Sequence, residues 1–202
     1  MFHFFSFLLS VAALSLLVVF ASLNGHAADV VSYSLFGASL VGFYLVRFFL
    51  CLDPSVSKPR LARLDHVLIY LLTASTYTTV ALKLPSAAWG WSIFGVVWGV
   101  AILVSGLRYW SRLKPSLLTL SFYVPLLILD IVAFQVVHTF LSPEATFWFS
   151  LGALSYLTET YLVVQRPSFS LVKRFKSHEN FAAPFAILAS TCHFIALITL
   201  LP

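Results

Sequence analysis

The chain has 202 residues, of which 60% are hydrophobic, 16% aromatic and only 9% charged, with a mean hydropathy of +0.97. A soluble domain carries about a quarter charged residues, so 12 basic and 7 acidic side chains beside 20 Phe, 8 Tyr and 5 Trp cannot cover a water-facing globule. Soluble, disordered and disulfide-rich secreted classes are excluded, and the net charge of +5 lies between apolar blocks rather than in a nucleic-acid-binding stripe.

The apolar stretches are long and do not alternate, which favours membrane helices over a barrel. Taking ~20 residues at 1.5 Å rise as one span, the sequence predicts an all-α bundle of seven transmembrane helices in one domain, 1–202. The first span, 4–23, has no Lys or Arg before its apolar core, and that core is long for a signal peptide. It is read as a retained helix, although Gly25-His26-Ala27 resembles a small-residue cleavage site whose use would leave six spans. The second, 29–51, carries Arg47 and ends at Cys51. The third, 65–84, opens with Asp65 and His66, and the fourth, 89–107, contains Trp89-Gly90-Trp91 and Trp98-Gly99. The fifth, 116–139, carries Asp130, and the sixth, 145–164, carries Glu159. The seventh, 180–201, carries His193 and follows directly on His178 and Glu179. Asn24-Gly25, Leu84-Pro85, Lys114-Pro115, Ser142-Pro143 and Arg166-Pro167 punctuate the connections as helix ends require.

Short cytoplasmic loops accumulate Lys and Arg. Lys58, Arg60 and Arg63 lie between spans 2 and 3, Arg108, Arg112 and Lys114 between 4 and 5, and Arg166, Lys173, Arg174 and Lys176 between 6 and 7. Lys83 alone falls on the opposite side. The expected orientation has the N-terminus in the cytoplasm and the C-terminus outside.

Ionisable groups within spans usually face a bundle interior. Cys51, Asp65, His66, His178 and Glu179 come from three spans to one membrane level. A zinc site in a bundle needs N, S or O donors at such a shared depth, and the same residues equally suit ordinary helix ends. Deeper in the membrane, Asp130, Glu159 and His193, with Arg47 nearer the cytoplasm, are expected to form a buried polar network in which Asp130 or Glu159 pairs with His193. Nucleotide-binding glycine motifs, a nucleophile elbow and HExxH are absent from the sequence.

Residues 64–78, opening Leu64-Asp65-His66-Val67 and running through Thr73-Ala74-Ser75-Thr76-Tyr77-Thr78, resemble the third-helix signature of the hemolysin III proteins. These form the bacterial branch of the progestin and adiponectin receptor superfamily. The likeness continues through Trp89-Gly90-Trp91, Gly95-Val96-Val97-Trp98-Gly99, Gly152-Ala153-Leu154-Ser155-Tyr156 and His178-Glu179-Asn180-Phe181. The resemblance implies seven helices with the N-terminus inside. It also implies a zinc ion held by a Ser-x-x-x-His of helix 2 and a His-x-x-x-His of helix 7, with an Asp of helix 3 holding the zinc-bound water. The associated chemistry is hydrolysis of lipid amides such as ceramide.

By that correspondence Asp65 is the water-holder and general base, and His178 is the first histidine of helix 7. Arg47 stands at the Ser position, Cys51 at the helix-2 His position and Ala182 at the second His of helix 7. The implied zinc ligands are therefore Cys51, His178 and Asp65, an altered set. The expected function is a membrane protein with a cytoplasm-facing lipid cavity and an altered zinc hydrolase site. The alternatives are a non-catalytic protein binding membrane lipids or a protein partner, and a pore.

Overall fold

The computed structural model describes residues 2–52, 59–110, 139–165 and 178–200. The ordered elements among them are six helices: α1 (Phe2–Asn24), α2 (Ala27–Leu52), α3 (Pro59–Lys83), α4 (Ala87–Trp110), α5 (Pro143–Gln165) and α6 (His178–Thr199). The expected span at 116–139, with Asp130, falls outside the described residues but for its last position. Four segments, His3–Leu23, Ala27–Leu52, Ala87–Leu107 and Phe181–Thr199, are long and apolar enough to cross a membrane by length and composition.

The helix ends follow local chemistry. Asp29 accepts a hydrogen bond from the His26 backbone N–H at 2.9 Å, the return bond of a capping box that starts α2. Ser142 Oγ accepts from the Ala145 N–H at 3.1 Å, with Pro143 at the first helical position of α5. One boundary differs from expectation: α3 starts at Pro59, six residues before Asp65. Arg60, Ala62 and Arg63 are good helix formers behind a proline suited to a first turn. Asp65 therefore stands nearly two turns inside α3 and not at its opening.

Neighbours in sequence pack in pairs: α1 on α2, α2 on α3, α3 on α4, and α5 on α6. Gly37 lets α1 approach α2 closely, since a Cβ there would lie 3.0 Å from Leu14 Cα. Tyr33, Phe36, Phe43, Tyr70, Leu72 and Val97 are fully or almost fully buried in the shared core. Leu9, Ile102, Leu103, Phe147 and Leu154 are exposed on the outside of α1, α4 and α5. On a water-soluble protein so much exposed apolar surface would be a liability, whereas in a bilayer it is the lipid-facing side.

Two ion pairs set the register of α2 against α3. Lys83 Nζ lies 2.9 Å from Asp29 Oδ1 at one end, and Arg47 Nε lies 2.9 Å from Asp65 Oδ1 at the other. The same eighteen-residue spacing separates Asp29 from Arg47 on α2 and Asp65 from Lys83 on α3. That is about 27 Å of helix, close to the ~30 Å hydrocarbon thickness of a bilayer. The two antiparallel helices thus carry complementary charges near both ends. Asp29 in the first turn of α2 and Lys83 in the last turn of α3 also suit the helix dipoles.

Candidate functional site

Helical spacing builds two polar layers one turn apart. On α2, Phe43, Tyr44 and Arg47 share a face; on α5, Tyr156 and Glu159 are three residues apart; on α6, so are Ser190 and His193. The first layer is ionic. Arg47 donates through Nε to Asp65 Oδ1 at 2.9 Å and through Nη2 to Glu159 Oε1 at 2.6 Å. Its Cζ lies 4.0 Å from the centroid of the Phe43 ring, a cation–π contact that shields the guanidinium. Glu159 is 1% exposed. One arginine thereby holds carboxylates from α3 and α5 against α2, using the planar fork that lysine lacks.

The second layer is made of hydroxyls. Ser190 Oγ donates to the Ala186 carbonyl at 2.9 Å and lies within hydrogen-bond distance of both Tyr44 OH and Tyr156 OH, each at 2.8 Å. Tyr44 OH also lies 3.1 Å from the Ala186 carbonyl. Together the layers fasten α2, α3, α5 and α6 with polar contacts suited to a membrane interior, where lost hydrogen bonds find no water.

The structure regroups the residues picked out by sequence. Arg47, Asp65 and Glu159 come together, and Glu159 pairs with Arg47 rather than with His193. The physical reason is charge: a permanently cationic guanidinium within reach satisfies a buried carboxylate better than a neutral imidazole does. His193 is 3% exposed and packs between the rings of Phe149 and Tyr156, at centroid distances of 5.3 and 5.4 Å. No side chain among the described residues hydrogen-bonds its ring nitrogens. Gly152 makes room for that ring, since a Cβ there would stand 2.5 Å from His193 Cδ2. Asp130 lies outside the described residues, as do the side chains of His178 and Glu179. Cys51 is exposed one helical turn beyond Arg47, and His66 turns back on its own helix, with Nδ1 2.7 Å from the Ala62 carbonyl. Ala182 is fully buried and offers no donor. Among the described residues, no three His, Cys, Asp or Glu side chains are grouped to hold a metal ion.

Two features carried no sequence signal that a residue-by-residue reading could use. The Tyr44–Ser190–Tyr156 chain joins common residue types from three helices. The Asp29–Lys83 pair was readable only by noticing the matched eighteen-residue spacing.

A family model described as "Haemolysin-III related" matches residues 1–194. The chain belongs to the haemolysin-III family. Among curated relatives of this haemolysin-III protein, the "Hemolysin-3 homolog" of Bacillus subtilis (strain 168) is 30% identical over 165 residues, covering 80% of this chain and 76% of the relative. The "Hemolysin-3" of Bacillus cereus is 36% identical over 99 residues, covering 47% of this chain and 44% of that protein. Family membership and the apolar helices make this haemolysin-III protein an integral, multi-pass membrane protein.

Proposed function

We propose that this haemolysin-III family member is a non-catalytic, lipid-binding membrane protein whose interior is held by an arginine clamp in place of a metal centre. The observation that carries the reading is Arg47, bonded at once to Asp65 and Glu159. The family resemblance makes Asp65 the holder of a zinc-bound water. Here its Oδ1 already accepts a charge-assisted bond from a guanidinium, which cannot give up its proton in a protein. A dication beside that guanidinium would be repelled. The donor set is poor as well, because Ala182 carries none and Cys51 is exposed. These residues do not fit a zinc ion. What supports lipid as the bound species is the apolar interior and the membrane setting. The sequence gives the protein no nucleic-acid surface.

The test is metal and activity analysis of the purified protein in mild detergent. The expected result is no stoichiometric zinc and no release of fatty acid from ceramide, with membrane lipid retained through washing. One zinc per chain that is lost in Cys51→Ala and His178→Ala, together with amide hydrolysis, would overturn the proposal and restore the hydrolase reading.

A further inference from the structure

A cavity of about 340 Å³ lies between α1, α2 and α6, walled by Leu9, Ala13, Leu16, Leu40, Ile187 and Phe194 and floored by Tyr44 and Ser190. Helix α1 rests along α2 and barely touches α6. Leu9, Ala12, Leu16 and Thr191 on the two rims are exposed, so among the described residues the cavity opens sideways on the lipid-facing surface. We infer that this cleft is a binding groove for one acyl chain of a membrane lipid, entered laterally between α1 and α6. The inference deepens the lipid-binding reading above and rests on it.

Three observations select that occupant. The first is depth: all three walls belong to segments apolar enough to cross a membrane, so hydrocarbon is the medium at the rim. From Ser6 to Leu16 the α1 wall runs about 15 Å, about half the ~30 Å core and so a length comparable with an acyl chain of one leaflet. The second is the state of the polar atoms. Ser10 donates to the Phe7 carbonyl, Thr191 to the Ile187 carbonyl and Ser190 to the Ala186 carbonyl. With those protons committed inside the protein, the groove presents an apolar lining that makes no demand for a polar ligand. The third is size. A polymethylene chain, ~4–5 Å wide by carbon contact distances, is narrow enough to lie along that ~15 Å wall. The volume also falls within the ~300–1,000 Å³ range of ligand pockets.

The floor connects the groove to the clamp. Tyr44 and Ser190 line the cavity, and the hydroxyl chain they form with Tyr156 sits one turn from Arg47 and Glu159. An acyl chain in the groove therefore packs directly on the hydroxyl layer, one turn from the ionic one.

The experiment uses the full chain reconstituted in phosphatidylcholine vesicles whose lipid bears a photoactivatable diazirine along one acyl chain. After irradiation, peptide mass spectrometry maps the adducts. They are expected to concentrate on residues 6–16 and 187–194, above the level on Ile102 and Leu103 of the general lipid-facing surface. Ala13→Phe and Thr191→Phe, two plugs from opposite walls, should each remove most groove adducts and leave those on α4 unchanged. Groove adducts no denser than those on Ile102 and Leu103, or indifferent to both plugs, would overturn the inference. So would oxidative crosslinking of a Leu9→Cys, Cys51→Ser, Cys192→Ala variant into dimers, which would make the occupant a second copy. If lipid survives washing but its adducts lie elsewhere, the groove fails while the lipid-binding reading stands. If no lipid is retained, both fail.

Discussion

A guanidinium in a membrane interior is tolerable only when its charge and all its directional bonds are met. Arg47 has its charge met by Asp65 and Glu159, through Nε and Nη2, and by the face of Phe43. Removing one partner of a buried ion pair leaves an uncompensated charge, so Arg47→Ala is expected to cost about 3–5 kcal/mol, read as a lowered unfolding midpoint in detergent. Neutralising the whole set, as Arg47→Met with Asp65→Asn and Glu159→Gln, should recover much of that loss. If the single and triple variants are equally unstable, the ion pairs are not what Arg47 contributes. The second residue-scale prediction concerns Gly152. His193 is wedged between Phe149 and Tyr156 and cannot retreat from a new methyl group. Gly152→Ala should therefore destabilise by about 1–3 kcal/mol. Gly95→Ala, where a Cβ meets nothing within 4 Å, should be close to neutral in the same assay.

At the scale of elements, close packing between α1 and α2 depends on one missing side chain. A Cβ at Gly37 would press on the backbone of Leu14, so Gly37→Ala is expected to lift α1 from α2. Proteolysis or hydrogen exchange should find α1 less protected in that variant while α5 and α6 keep their protection; equal loss everywhere would contradict a local role. Hydropathy made most of these helices legible, because 20 apolar residues in a row have few other uses. It misplaced the start of α3, since Arg60 and Arg63 interrupt apolarity without interrupting the helix. The candidate site was legible only in part. Depth along each span brought Arg47 and Glu159 forward as buried polar groups, whereas Asp65 stood out only as a helix-end residue of the implied metal site. Which of them touch depends on helix rotation and on reach across three helices, and neither is encoded in the spacing along one chain. His193 shows the same limit from the other side: its depth was readable, its lack of a side-chain partner was not.

For the whole molecule, the two ion pairs on α2 and α3 stand about one hydrocarbon thickness apart, which fits a bundle seated between Asp29–Lys83 and Arg47–Asp65. The clustering of bases near the Arg47 end predicts that this end faces the cytoplasm. Single cysteines placed at Lys58, Arg112 or Lys173 in a Cys51→Ser, Cys192→Ala background should resist membrane-impermeant thiol reagents applied from outside, and a cysteine at Pro202 should react; the reverse pattern would invert the topology. The central claim is that an arginine, and not a metal, joins the helices at the family's site position. Its most direct test is the unfolding midpoint of the purified wild-type protein and of Arg47→Ala, each measured untreated, with a strong zinc chelator and with added zinc. The clamp predicts a wild-type midpoint that ignores both additions and a large drop in Arg47→Ala that zinc does not repair. A wild-type midpoint that falls with the chelator and returns with zinc would contradict it.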